Sequence, residues 1–368
     1  MSISEIGSIY PLETLDIRQS VKYTLQDIKS YLHINNNGLF LSLGREGFSI
    51  VAHNHPEKKK VLLPLYSCQT VGDPFWQLGW QLETYSIGID LRINIQNLEK
   101  KIEEFNPHVV VFHPYYGASF TPDELNIIAD IKNKGIIIVV DYTQCIYEEN
   151  IISFADYVVA SLRKWFDCPD GGYIYSNFHS LSDFSNLSEY TSFVVTQKDA
   201  MFLRGRYFEN GDIILKDISI RLNKLAVAGI EQNIFPHVLS DFGLNRLLNS
   251  DMEKYGEIRF SNFRYLYDNV INNNVIKFVY ADIDDIKSSP LYFPIYCENR
   301  DELQKQLAIN KIYAPILWSV PEFYRNLDDD AKYIYEHILV IPIDQRYGIE
   351  DMQRVSSVIN SFSSSKYN

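Results

Sequence analysis

The chain has little of what would tie it to a membrane, a metal or a disulfide framework. Its four cysteines, at positions 68, 145, 168 and 297, show no Cys-x-x-Cys or other metal-ligand spacing. That spread excludes a zinc motif and a disulfide scaffold, and fits a reduced chain. No apolar run reaches the about eighteen residues a membrane span requires. The opening stretch, MSISEIGSIYPLETLDIRQS, lacks a basic start followed by an apolar core. No secretory signal is read there, and a cytoplasmic location is expected. Basic charge is also short: 34 Lys and Arg against 47 Asp and Glu give a net charge of -13. A general nucleic-acid binder draws its affinity from clustered cations, so that class is set aside. The dense basic run Lys58-Lys59-Lys60 reads as a solvated loop ahead of a strand. There is no internal repeat and no low-complexity linker, and the last residues, SFSSSKYN, read as a frayed tail.

What is present belongs to an ordinary globular protein, 46% hydrophobic and 22% charged. A length of 368 residues predicts one large domain and a smaller one, with interior enough for a buried site. The segments KKVLLPLY (59–66), HVVVFHPYYG (108–117), GIIIVVDYTQ (135–144), DYVVAS (156–161) and GGYIYS (171–176) have the length and β-branched or aromatic content of buried strands. Between two of them, TPDELNIIADIKNKG (121–135) opens on a Thr cap, a Pro and acidic residues and ends in Lys and Gly, the polarity of a helix. Alternating strand and helix predicts an α/β domain with a mostly parallel sheet covered on both faces. Residues 177–270 read as mostly helical, with 241–270 as one long amphipathic helix that tolerates Gly243. From about 275, short strands (KFVYA, LYFPIYC, HILVIPI) alternate with helices (NRDELQKQLAIN, EDMQRVSSVINSF), a smaller α+β arrangement. The expected division is an N-terminal arm and helix over 1–34, a large domain over 35–255 and a small domain over 256–368.

In an open parallel sheet, ligands sit beyond the carboxyl ends of the strands. Three predicted strands end in reactive groups: Asp141 with Gln144 behind it, His113 followed by Pro114 and two tyrosines, and Ser161 three residues ahead of Lys164. A carboxylate at the mouth of an apolar strand needs a partner, because burying it alone is costly or forces it to protonate. A protonated pyridine nitrogen would serve. A lysine amine for an aldehyde, a carboxylate for the ring nitrogen and hydroxyl or backbone donors for a phosphate together match the demands of pyridoxal phosphate (PLP). Asp141 alternatively reads as a turn or cap residue and Lys164 as a solvated loop lysine. His113 reads equally as a cofactor neighbour or a turn residue. Trp165 and FWQLGW (75–80) read as core or dimer-contact aromatics, and Tyr115, Tyr116 and Arg346 as candidate substrate contacts.

The stretches VVVFHPYYGASFTPDELNIIADIKNKGIIIVVDYTQC and ASLRKWFDCPDGGYIYS resemble the DegT/DnrJ/EryC1/StrS family of sugar aminotransferases, members of the fold-type I PLP enzymes. The resemblance extends, less specifically, over most of 35–362, including FSNFRYLYDNV and HILVIPIDQRYGIEDMQRV. It implies a seven-stranded-type sheet in the large domain and a site at a homodimer interface. By that match Lys164 is the Schiff-base lysine, Asp141 faces the pyridine nitrogen, Gln144 lies near the ring 3-hydroxyl and Ser161 binds phosphate. The family's Ser-Gly-Thr-Ala phosphate turn is replaced by SLGREGFSIV, which puts Gly44 and Arg45 in its place. The ring-stacking position, commonly aromatic, falls on Cys68 with Tyr66 close by. Transfer of an amino group from glutamate or glutamine to a keto-sugar, expected to be nucleotide-linked, is the implied reaction. The Ser-x-x-Lys spacing, tighter than is common in sugar aminotransferases, and the Gly-Arg-Glu-Gly turn keep two alternatives open: a PLP enzyme acting on an amino acid or small amine, and a non-catalytic protein of the same fold.

Overall fold

The computed structural model describes residues 4–12, 21–149, 152–231 and 234–365. In chain order its strands are β1 Ile6–Gly7, β2 Gly38–Leu41, β3 Lys60–Pro64, β4 Gln81–Tyr85, β5 Val109–Phe112, β6 Ile137–Asp141, β7 Tyr157–Ser161, β8 Gly172–Ser176, β9 Ile276–Phe278, β10 Tyr292–Cys297, β11 Ile312–Tyr313 and β12 Ile338–Pro342. Seven of them form one sheet in the order β2-β8-β7-β6-β5-β3-β4. All neighbours from β7 to β4 are parallel, and β8 runs antiparallel to both β7 and β2.

The sheet is buried on both faces, which explains the unbroken apolar runs. Val109, Val111, Ile137 and Val139 point into one core, and Val110, Phe112, Ile138 and Val140 into the other. Helices cover both sides. The helix Pro122–Asn133 starts at Thr121 with the expected capping box, its side chain accepting from the Glu124 N–H while Glu124 accepts from that of Thr121. Because these crossovers are parallel, β5, β6 and β7 all point their carboxyl ends to the same edge. Asp141 and Ser161 close their strands there, and His113 comes just after Phe112.

The second half follows the predicted change of pattern. Helices Thr191–Asn210 and Ile213–Glu231 form an antiparallel pair, and β12-β10-β9 make a small antiparallel sheet backed by Arg300–Ile309 and Ile349–Ser365. Two expectations are corrected. The long helix over 241–270 is two helices, Asp241–Leu248 and Met252–Asn269. The break lies at Asn249–Asp251, where Asp251 caps the second helix by accepting from the Lys254 N–H. Gly243 lies within the first of the two helices, where a Cβ would come 2.3 Å from the Asp170 carboxylate, so the position has no room for a side chain. The C-terminal stretch read as frayed is helical as far as Ser365, and residues 366–368 lie outside the described ones. The N-terminal segment, partly outside the described residues, reaches the C-terminal half directly: β1 pairs in parallel with β11.

Gly171 and Gly172 do different work. Gly171 has φ +147°, a conformation that L side chains rarely adopt. A Cβ on Gly172 would lie 2.5 Å from the Gly44 nitrogen and 2.6 Å from the Leu43 carbonyl carbon, so two backbones meet there. Gly172→Ala is expected to destabilise the protein by about 1–3 kcal/mol. Gly229→Ala, in a helix with nothing within 4 Å of the new methyl, is expected to be neutral or stabilising. Paired thermal melts check both.

Candidate active site

The turn after β7 is built from its apolar ends inward. Leu162 and Trp165 are buried completely, and the Trp165 N–H donates to the Leu162 carbonyl at 2.8 Å. The Leu162 and Arg163 amides both donate to the Gly171 carbonyl. The Trp165 indole N–H donates to the Thr143 carbonyl at 2.7 Å, and the Arg259 guanidinium stacks 4.6 Å from its ring centroid. With both flanks fixed, Arg163 and Lys164 line a cavity of about 570 Å³. Across it stand Tyr10 and Tyr292, with Arg259 and Arg346 in the wall.

Lys164 makes no hydrogen bond or ion pair with the described residues. Burial pushes its amine below the ordinary lysine value and the Arg163 charge adds to this, while Cys68 and Asp141 pull the other way. An unpaired amine held low by burial is the state a nucleophilic lysine needs.

Asp141 is buried, with Oδ1 accepting from the Thr143 N–H at 2.9 Å and Oδ2 3.4 Å from His113 Nδ1. Burial alone would raise its carboxyl, but the pull of His113 and the Thr143 hydrogen bonds outweigh it and hold the group below the ordinary carboxylate value. It is therefore an anion at neutral pH. Thr143 also ties this strand end to the next, its hydroxyl accepting from the Ser161 N–H at 3.0 Å. Gln144 is fully buried; its Oε1 accepts from the Tyr116 N–H at 3.1 Å. Its Nε2 and His113 Nε2 have no hydrogen-bond partner.

Gly44 and Ser161 meet: a Cβ on Gly44 would lie 2.9 Å from that of Ser161. Gly44 precedes the helix Arg45–Asn54, so the first turn of that helix abuts Ser161. Arg45 turns elsewhere. It is buried, donates to the Ile230 carbonyl at 2.8 Å and pairs with Asp73 at 3.4 Å, so the charge expected for a phosphate is already engaged within the chain. The turn also carries buried Glu46, which accepts from the Leu43 N–H and lies 2.9 Å from His237 Nδ1. Burial pushes the Glu46 carboxyl up, against the opposing pull of His237 and Leu43.

Cys68 precedes the helix Gln69–Gln77 and accepts from the Thr70 hydroxyl at 3.1 Å. With His113, Asp141 and Trp318 it borders a gap of about 10 Å³, room for about one water molecule on that side of the carboxylate. Trp318, 5.8 Å from the His113 ring, was not singled out from the sequence as a site residue. Nor were Tyr10, Thr143, Arg163 or Tyr292. Tyr10 and Trp318 lie far from Lys164 in sequence. Thr143 and Arg163 lay inside the motifs, where their types carried no distinct signal. Tyr115 and Tyr116, read as candidate substrate contacts, are core residues: the Tyr115 hydroxyl donates to the Tyr66 carbonyl, and those of Tyr116 and Tyr66 lie 3.2 Å apart. Arg346 lines the cavity but is held by Asp344 through two contacts of 2.7 and 2.8 Å. Trp165 is a core residue, as expected.

The residues fit PLP by their donors. Lys164 is unpartnered, Asp141 is ionised, Gln144 and His113 each keep an unused buried nitrogen, and Gly44 and Ser161 meet at a helix start. Among the described residues, no group of three or more His, Cys, Asp or Glu is arranged for a metal ion, and no helix is long and apolar enough to cross a membrane.

The fold matches, over nearly the whole chain, that of solved aminotransferases, sugar aminotransferases among them. A structure described as a sugar aminotransferase from Streptococcus pneumoniae, in its PLP form, aligns with a TM-score of 0.67 at 12% identity, over 98% of this chain and 99% of that one. The Helicobacter pylori aminotransferase PseC, involved in pseudoaminic acid biosynthesis, aligns at 0.65 and 14%, over 97% and 98%. A DegT/DnrJ/EryC1/StrS aminotransferase from Brucella abortus aligns at 0.62 and 15%, over 93% and 91%. No protein-family model and no curated protein sequence matches the chain.

Proposed function

We propose that the protein is a PLP-dependent aminotransferase that moves an amino group from glutamate or glutamine to a keto-sugar, with a nucleotide-linked sugar as the acceptor. The observation that carries this reading is the unpartnered Lys164, in the turn that follows β7, next to neighbouring β6, which ends in the buried carboxylate of Asp141. The full-length likeness of the fold to sugar aminotransferases supports it.

In this reading Lys164 holds the cofactor covalently, Asp141 faces its ring nitrogen, Gln144 and His113 offer their unused nitrogens to its polar edge, and Gly44 with Ser161 receives its phosphate. When bound, the cofactor supplies an electron sink for the carbon that carries the substrate amine. With the cofactor and donor bound, Lys164 Nζ would serve as the base that removes the proton from that carbon and later returns one. Burial favours this role by weakening the amine's hold on a proton. Cys68, which borders the small gap beside Asp141, would lie against the cofactor ring. A cytoplasmic homodimer belongs to the same reading: on the helical pair Thr191–Asn210 and Ile213–Glu231, Ile213, Ile214 and Leu225 are 57%, 62% and 64% exposed, an apolar face suited to a second copy.

The test is the donor half-reaction. The cofactor-loaded protein mixed with L-glutamate should lose the absorbance of the lysine-bound cofactor and release 2-oxoglutarate, and a nucleotide-linked keto-sugar should restore the absorbance. Turnover of amino acids to decarboxylated or eliminated products would favour the small-amine alternative, and cofactor binding without any donor turnover the non-catalytic one.

A further inference from the structure

We propose that Arg163 is the residue that recognises the amino donor, its guanidinium receiving the carboxylate attached to the carbon that reacts beside Lys164. The proposal rests on the reading of Lys164 above.

The charged lining of the cavity is one-sided. Arg163, Lys164, Arg259, Lys305 and Arg346 face it, with Asp344 as the opposing acid. Asp344 is taken by Arg346, which also donates to the Ser8 and Ile9 carbonyls. Arg259 is used up within the wall: it donates to Gln345, the Leu291 carbonyl and the Tyr10 hydroxyl. Arg163 differs from both. Its guanidinium has no hydrogen bond or ion pair among the described residues. Asp167, the carboxylate nearest in sequence past the turn, pairs with Arg246, and Asp170 already accepts from the Ser42 hydroxyl and from the Ser240 amide and hydroxyl. Burial pushes the Arg163 guanidinium below its ordinary value, with the weaker pull of Cys168, Cys68, Tyr292 and Asp170 opposing it. The guanidinium is only half-buried in the cavity wall and has no counter-ion from the chain, so an anion entering beside Lys164 meets a charge that no described residue has neutralised. A site that keeps such a charge beside its nucleophile is complete only with an anion in place.

The position says which anion. Arg163 and Lys164 are adjacent, and the Leu162–Trp165 turn presents both to one cavity. The carbon whose proton Lys164 Nζ would remove bears a carboxylate one bond away when the substrate is an amino acid. In a keto-sugar the corresponding carbon has ring carbons and hydroxyls around it, and any diphosphate lies beyond the sugar ring. A planar guanidinium with two parallel N–H groups matches a carboxylate in two-point contact. Arg163 thereby serves the first half of the exchange. In the second half its charge faces hydroxyls, which gives the site one fixed anchor for the donor.

The test uses the cofactor-loaded protein and two probes: glutarate, which is the glutamate skeleton without its amine, and inorganic phosphate, both titrated calorimetrically. Arg163→Gln should weaken glutarate roughly tenfold to a hundredfold, the range expected for losing a charge-assisted contact, and Arg163→Lys should weaken it less. Phosphate affinity and the absorbance of the lysine-bound cofactor should stay as in the parent, and the melting temperature of Arg163→Gln should not fall. Unchanged glutarate binding, or no glutarate binding by either protein, overturns the proposal. So does a selective loss of phosphate affinity, which would assign Arg163 to a phosphate-bearing acceptor, or loss of the cofactor band, which would assign it to the cofactor. Failure of the parent protein to take up the cofactor would overturn the reading of Lys164 itself, and is seen before any probe is added.

Discussion

Lys164→Met is expected to abolish covalent attachment of PLP and to lower amine transfer by on the order of 10⁴-fold or more, while the cofactor-free protein becomes more stable. The loss follows because one amine both anchors the cofactor and shuttles the proton, and groups that act in two steps cost far more than a single contact when removed. The gain in stability follows from burial. Lys164 has a folded pKa below its ordinary value, so between the two values the unfolded chain binds more protons than the folded one, and stability rises with pH across that window. Below the window the folded protein carries a half-buried, unpaired ammonium at a fixed cost. Methionine, of similar length and uncharged, removes that cost. Thermal melts of both proteins without cofactor, taken from neutral to alkaline pH, should show the variant melting higher at neutral pH and the difference shrinking as pH approaches the ordinary lysine pKa. A variant that melts lower at every pH would mean that Lys164 contributes to folding.

Asp141→Asn should leave the covalent attachment intact and lower turnover by about 10²–10³-fold, the scale of removing one preorganised electrostatic partner from a reacting centre. The amide nearly preserves the shape and can still accept from the Thr143 N–H, but it cannot hold a positive charge on a ring nitrogen. His113 would keep its position and lose its anion. The same carboxylate, when charged, adds to stability where the Lys164 ammonium subtracts from it, although both make stability rise with pH across their own windows. Its folded pKa lies below the ordinary value, so its contribution is present above the ordinary carboxylate pKa and is lost as pH falls through the folded one. The Asn variant should lack that acid-side loss. Single-turnover kinetics and acid titrations of the two proteins measure both effects.

Much of the large domain was legible because its strands are buried on both faces. An unbroken run such as VVVF or IIIVVD has few other stable placements, and the last polar residue of each run marks a strand end. β2 and β4 were missed for the converse reason: GLFL follows three asparagines, and QLETY is a half-exposed edge strand. The reactive trio of Asp141, Ser161 and Lys164 was readable because parallel crossovers bring neighbouring strand ends together. The cavity was not. Its walls come from residue 259 and from within 7–10, 163–164, 291–292, 304–315 and 342–346, and no local pattern announces that β1 crosses to pair with β11. The fate of Arg45 was equally hidden, since its partner Asp73 lies on the next helix and reads as an ordinary solvated acid. The break at Asn249–Asp251 was open to reading: an Asp three residues ahead of Lys254 can cap a new helix.

The central claim is a covalent bond between Lys164 and a PLP aldehyde. Reduction of the purified, cofactor-loaded protein with borohydride, followed by digestion and peptide mass mapping, tests it most directly. The account predicts a single phosphopyridoxyl adduct on the peptide containing Lys164. Absence of any adduct, or an adduct on another lysine, would contradict it.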